Sequence, residues 1–128
     1  MQIEHEATVD SSMSVSKDRD IVRNLAAELA EIAQHPKQQE KVRCWKALND
    51  VKPQRPMVWI TEIPWAEVED RVDVLTPQCT EERLRELERQ LRRKLFTAKE
   101  LDVDEVLLPE FHVPMCIEGL DYGVIIQE

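Results

Sequence analysis

Ile21, Leu25, Leu29 and Ile32 recur at the spacing of one helical face, and Val22, Ala26 and Ala33 widen the stripe. Asp18 and Asp20 stand at its amino end, where carboxylates suit the helix dipole, and Pro36 closes it. A second helix is predicted over 37–50, with Val42, Trp45 and Leu48 as its apolar face and Lys41, Arg43 and Lys46 turned to water. Trp45 reads there as core packing. A longer helix is predicted to start after Thr80 as N-cap, with Glu81 and Glu82 in its first turn. Leu84, Leu87, Leu91, Leu95 and Ala98 trace its face, and Glu81/Arg85 and Glu88/Arg92 have the acid-first spacing that supports a helix.

Between the second and third patterns the period changes. Met57 to Ile60 is a short apolar run bracketed by Pro56 and Pro64, which predicts one buried strand over 57–61. Thr61, Glu62 and Trp65 follow it closely, and loops after strand ends are where ligands bind in sheets whose strands alternate with helices. A short helical turn is predicted over 65–71, then irregular chain to Gln78. The last third turns extended: Val106 to Leu108, Phe111 to Met115, and Tyr122 to Ile126, with a turn between Gly119 and Gly123. Residues 1–17 carry no period and read as a loosely ordered leader to a domain over 18–128.

The 128 residues suit one domain, and the formal charge of −9 argues against nucleic acid or an anionic membrane as partner. Cys44, Cys79 and Cys116 are too far apart for a disulfide framework or the usual structural zinc spacings. With no export signal and no membrane-length apolar run, the expected location is the cytoplasm. Only Gly119 and Gly123 are glycines, so a glycine-rich phosphate loop upstream is excluded.

Candidate chemistry is sparse. Glu110, His112 and Cys116 would share one face of an extended segment, but a tetrahedral metal site needs further ligands that the pattern does not supply. Glu62 and His112 could form an acid–base pair if their segments lie side by side. The basic cluster Arg89, Arg92, Arg93 and Lys94 reads as a solvated helix face, because the same helix carries nearly as many acids.

The succession Lys41 to Asn49, then Arg55-Pro-Met-Val-Trp-Ile60, resembles the entrance of uroporphyrinogen decarboxylase-like proteins, in particular the branch associated with corrinoid-dependent methyl transfer. Glu86 to Phe96, Val103 to Pro109, Phe111-His-Val-Pro114 and Gly119 to Gly123 extend the likeness over residues 36 to 128. The resemblance implies an α/β fold: the amino-terminal portion of a (β/α)8 TIM-type barrel preceded by two helices. It further implies a methyltransferase fragment that is not catalytically competent alone, since a whole barrel takes about 250 residues. Zinc and a corrinoid protein would serve the complete enzyme, with neither cofactor held by this chain. Arginines that hold substrate carboxylates in the true decarboxylases are replaced by Thr61 to Trp65, which turns the reading away from porphyrinogen decarboxylation. Glu62, Trp65 and His112 are the expected substrate contacts. The expected partner is the remainder of the barrel or a partner subunit. The alternative is a small stand-alone α+β protein-interaction module.

Overall fold

A computed structural model describes residues 4–110 and 112, with side chains from Met13 onward. The chain forms α1 (Glu4–Gln34), α2 (Pro36–Asn49), the short α3 (Trp65–Glu69), a 3-10 turn at Asp73–Leu75, and α4 (Glu82–Glu100). Its core lies where α1 and α4 pack together. Leu29 and Ala33 meet Leu91 and Leu95, Leu107 closes one end, and Val22, Leu25, Ile32, Leu87 and Ala98 pack around them. These are the stripes that the helical period marks. Burying each such leucine contributes about 2 kcal/mol.

The helix ends are fixed by side chains. Pro36 opens α2, where its missing N–H is no loss, and His35 Nδ1 accepts from the Lys37 amide at 3.2 Å. The carboxyl end of α2 is a Schellman-type turn. Lys52 N–H donates to the Ala47 carbonyl at 2.8 Å and Val51 N–H to the Leu48 carbonyl at 3.1 Å. That geometry puts Val51 at φ 59°, a left-handed conformation that suits glycine and crowds a β-branched side chain. For α4 the N-cap is Glu81, whose carboxylate accepts from the Leu84 amide at 2.8 Å, and not Thr80. Thr80 is instead held by Asp18 of α1. The first helix begins at Glu4, so residues 4–17, expected as a leader, are continuous with α1.

The fold expectation is corrected here. Among the described residues there is no β-strand and no sheet, so neither an α/β barrel portion nor an α+β domain describes them. The run expected as the first strand, 57–61, meets the later non-helical segment at one point only. There Asp104 N–H donates to the Val58 carbonyl at 2.7 Å, while the Val58 amide donates to the Asp104 side chain at 2.8 Å. A carboxylate thus takes the place of a backbone acceptor. Pro56 and Pro64 bring no donors, and a ladder cannot propagate from one contact. The strands and the turn expected within 113–128, and the candidate ligand Cys116, lie outside the described residues.

Candidate functional site

The segment between α2 and α3 is held from one side and open on the other. Asp104 is its anchor. Arg55 reaches both carboxylate oxygens, at 2.9 and 2.5 Å, and one of those oxygens also accepts the Val58 amide. Paired this way, the Arg55 guanidinium holds the Asp104 carboxyl down to about 2, against the opposing effect of burial. The Asp104 carbonyl accepts from Trp45 Nε1 at 2.8 Å, and the Glu105 carbonyl from Lys41 Nζ at 3.2 Å. Helix α2, the segment from Arg55 to Val58, and residues 103–107 are therefore tied together, with Asp104 as the residue that all three share.

Beyond that anchor the segment faces water. Val58 is 49% exposed, Trp59 66% and Ile60 41%, three consecutive apolar residues where one buried strand is expected from sequence. The correction has a physical cause: the helical core is complete without them, and nothing among the described residues lies over the segment. The backbone amides of Trp59, Ile60 and Thr61 reach no protein acceptor among the described residues. Trp59 and Trp45, with Val106 and Glu105, border an open cleft of about 320 Å³. Trp45 is half-buried and hydrogen-bonded, so it supports this cleft as well as the packing expected of it.

The expected substrate contacts are spread out. Trp65 is half-buried, edge-on to Phe96 at 6.2 Å, and carries the Arg93 guanidinium 5.3 Å from its ring centre. Ile60, Thr61, Trp65, Arg93 and Lys94 line a second cleft of about 270 Å³. Glu62 and His112 are both exposed, and no hydrogen bond or ion pair joins them. Arg93 is engaged by Glu69 at 2.5 Å, Arg89 by Glu86 at 2.5 Å, and Arg92 by Glu88 at 2.7 Å, so most of the basic cluster is matched by acids.

A second pair of carboxylates is buried where α1, α4 and the loop ahead of α4 converge. Glu88 accepts the amides of Gln78 and Cys79, and Asp18 those of Thr80 and Glu81, all between 2.8 and 3.0 Å. The Glu81 amide is the main reason the Asp18 carboxyl lies below its ordinary range. Burial raises that of Glu88, but the amides of Cys79 and Gln78 together with Arg92 outweigh it, and the net direction is down. Cys79 between them is pushed up to about 12 by burial and then by Glu88, the opposite of what a nucleophilic thiol requires. These carboxylates are structural. Among the described residues no three His, Cys, Asp or Glu side chains converge as a zinc ion requires, and no helix is long and apolar enough to cross a membrane.

Arg55, Trp59 and Asp104 are the site residues that sequence reasoning missed. Their only local signal is an arginine and a proline immediately before a short aromatic and β-branched run. No protein-family model, curated protein or solved structure matches this chain.

Proposed function

We propose that this chain works by docking and carries no catalysis of its own. On this reading it is the amino-terminal part of a uroporphyrinogen decarboxylase-like, corrinoid-linked methyltransferase, and the remaining polypeptide or a partner subunit covers the Pro56–Pro64 segment. The supporting observation is the exposed run Val58, Trp59 and Ile60, anchored by Asp104 at the Val58 amide and with no acceptor among the described residues for the amides that follow. Unmet main-chain donors beside exposed apolar side chains invite an added chain, because main-chain hydrogen bonds give affinity and side chains that fit pockets give specificity. Glu62, Trp65 and His112 are then substrate contacts only in the assembled protein. Zinc and the corrinoid partner would belong to that assembly.

The second reading is a self-contained interaction module, favoured by a helical core that closes without the exposed segment. Native mass measurement separates the two. A species heavier than 15.0 kDa that contains this sequence, with the Trp59 to Thr61 amides protected from exchange, is the outcome the first reading requires. A stable 15.0 kDa monomer that takes up a separate partner through the same residues supports the second. A monomer whose Trp59 to Thr61 amides are already slow to exchange would sink both.

A further inference from the structure

The charge around the exposed segment names the kind of chain that fits it. Helix α2 and the connection after it carry Lys37, Lys41, Arg43, Lys46, Lys52 and Arg55 against Glu40 and Asp50, in a protein of formal charge −9. Arg43 is balanced by Glu40 at 2.9 Å and Arg55 by Asp104 at 2.5 Å. Among the described residues no ion pair joins a carboxylate to Lys37, Lys41, Lys46 or Lys52; Lys41 donates to the Glu105 carbonyl at the rim of the tryptophan cleft and is near enough to Asp104 to help lower its carboxyl. Glu105 is the acid that lines this cleft. A locally basic stretch of an acidic protein thus leads directly into its exposed apolar segment.

We infer that the occupant of the Pro56–Pro64 segment is an acidic polypeptide strand. It would pair its backbone with the amides of Trp59 and Thr61, which share the edge opposite Asp104, seat an apolar side chain between Trp45 and Trp59, and set its carboxylates against the lysines of α2 and its following connection. This rests on the docking reading and deepens it. Three features choose the class. Alternate amides, Trp59 and Thr61, without acceptors among the described residues call for carbonyls at strand spacing, which a polypeptide supplies. Three apolar side chains call for an apolar complement. The segment itself carries only Glu62 as a charge, but two copies placed face to face about a two-fold axis would bring their α2 lysines toward one another, so like charge disfavours that pairing.

The test uses the full chain and three dye-labelled probes read by fluorescence polarisation. Two are synthetic peptides of strand length with the same alternating valine and threonine core, one flanked by glutamates and one by lysines. The third is a single-stranded oligothymidylate. The glutamate peptide is expected to bind at least about tenfold more tightly than the lysine peptide at low salt, with the preference shrinking as salt is raised. The double variant K46E/K52E should remove or reverse the preference, and its helical circular dichroism reports whether it folds; the salt dependence of the unaltered chain serves as an independent check. Equal binding of the two peptides overturns the acidic assignment and leaves docking standing. Tighter binding of the oligothymidylate than of the glutamate peptide replaces a protein strand by nucleic acid. If no probe binds, both the acidic strand and the docking segment are lost.

Discussion

Ahead of α4, Asp18 and Glu88 collect the backbone amides of residues 78–81, and Leu75, Cys79 and Leu91 are buried around them. Ahead of α3, Asp104 collects the amide of Val58 in the same manner, yet Val58, Trp59 and Ile60 stay in water. The anchoring chemistry is shared: a shielded carboxylate, backbone donors and an arginine, Arg92 in one place and Arg55 in the other. What differs is the apolar surface beyond the anchor. A loose loop would expose its side chains because nothing fixes it. Here an anchor of the kind that seals a core holds an apolar run outward, which fits the docking role proposed for it.

The largest effect should fall on the sealed side. Leu95→Ala removes a side chain 6% exposed at the centre of the α1–α4 contact, and an expected loss of about 2–5 kcal/mol would be read from urea unfolding. A loss below about 1 kcal/mol would mean that this core is not what holds the helices together. Glu88→Gln should come next, at about 2–3 kcal/mol. The side chain is fully buried, and the amide cannot accept from Gln78, Cys79 and Arg92 at once, so buried donors are left unmet.

The split between the two regions also marks what was legible in the sequence. Leu29, Leu91 and Leu95 could be read because a helical period states which face is buried whatever covers it. The Glu88–Arg92 pair could be read from its spacing. That Glu88 also holds Gln78 and Cys79, or that Asp18 takes Thr80 from its expected capping role, could not, since these contacts join residues distant in sequence. The run Met57 to Ile60 was misjudged as a buried strand for a related reason. Its composition states that it can be covered, and local pattern does not state whether this chain supplies the cover. Glu62, Trp65 and His112 stand out by residue type and by the resemblance, and among the described residues only Trp65 of the three is tied into a packed arrangement, with Phe96 and Arg93.

Strain supplies a smaller test, with the opposite sign. Val51 is 86% exposed and sits at φ 59° in the turn that leads toward the exposed segment. Val51→Gly gives up almost no packing and relieves the left-handed crowding, so the protein should gain about 1 kcal/mol in urea unfolding. A loss of stability would show that the turn does not adopt this geometry.

Acid should loosen the exposed segment within a defined window. The Asp104 carboxyl titrates at about 2 in the folded chain, against an ordinary 3.8. A depressed carboxyl contributes its full stabilisation above the unfolded value and loses it as pH falls toward the folded one. Protection of the Val58 amide is therefore expected to be level from neutral pH down to about 4 and to decline below it. Asp104→Asn should bring the unprotected state to neutral pH, with a global cost of only about 1–2 kcal/mol, because Arg55 is partly exposed and its pairing is screened. Because the Asp18 and Glu88 carboxyls are lowered too, the core loop must respond in the same direction below that point.

The smallest effect on stability is the one that decides the comparison. Trp59 is the largest of the three exposed side chains, and a surface tryptophan with no hydrogen-bonded partner among the described residues contributes little to the isolated fold. Trp59→Ala should change unfolding free energy by no more than about 0.5 kcal/mol while abolishing uptake of whatever covers the segment, because large aromatic anchors dominate interface energies. If Trp59→Ala instead destabilises the chain as strongly as Leu95→Ala, then Trp59 is already covered in solution and the two regions are alike. If it leaves both stability and partner uptake intact, the surface is exposed without being used.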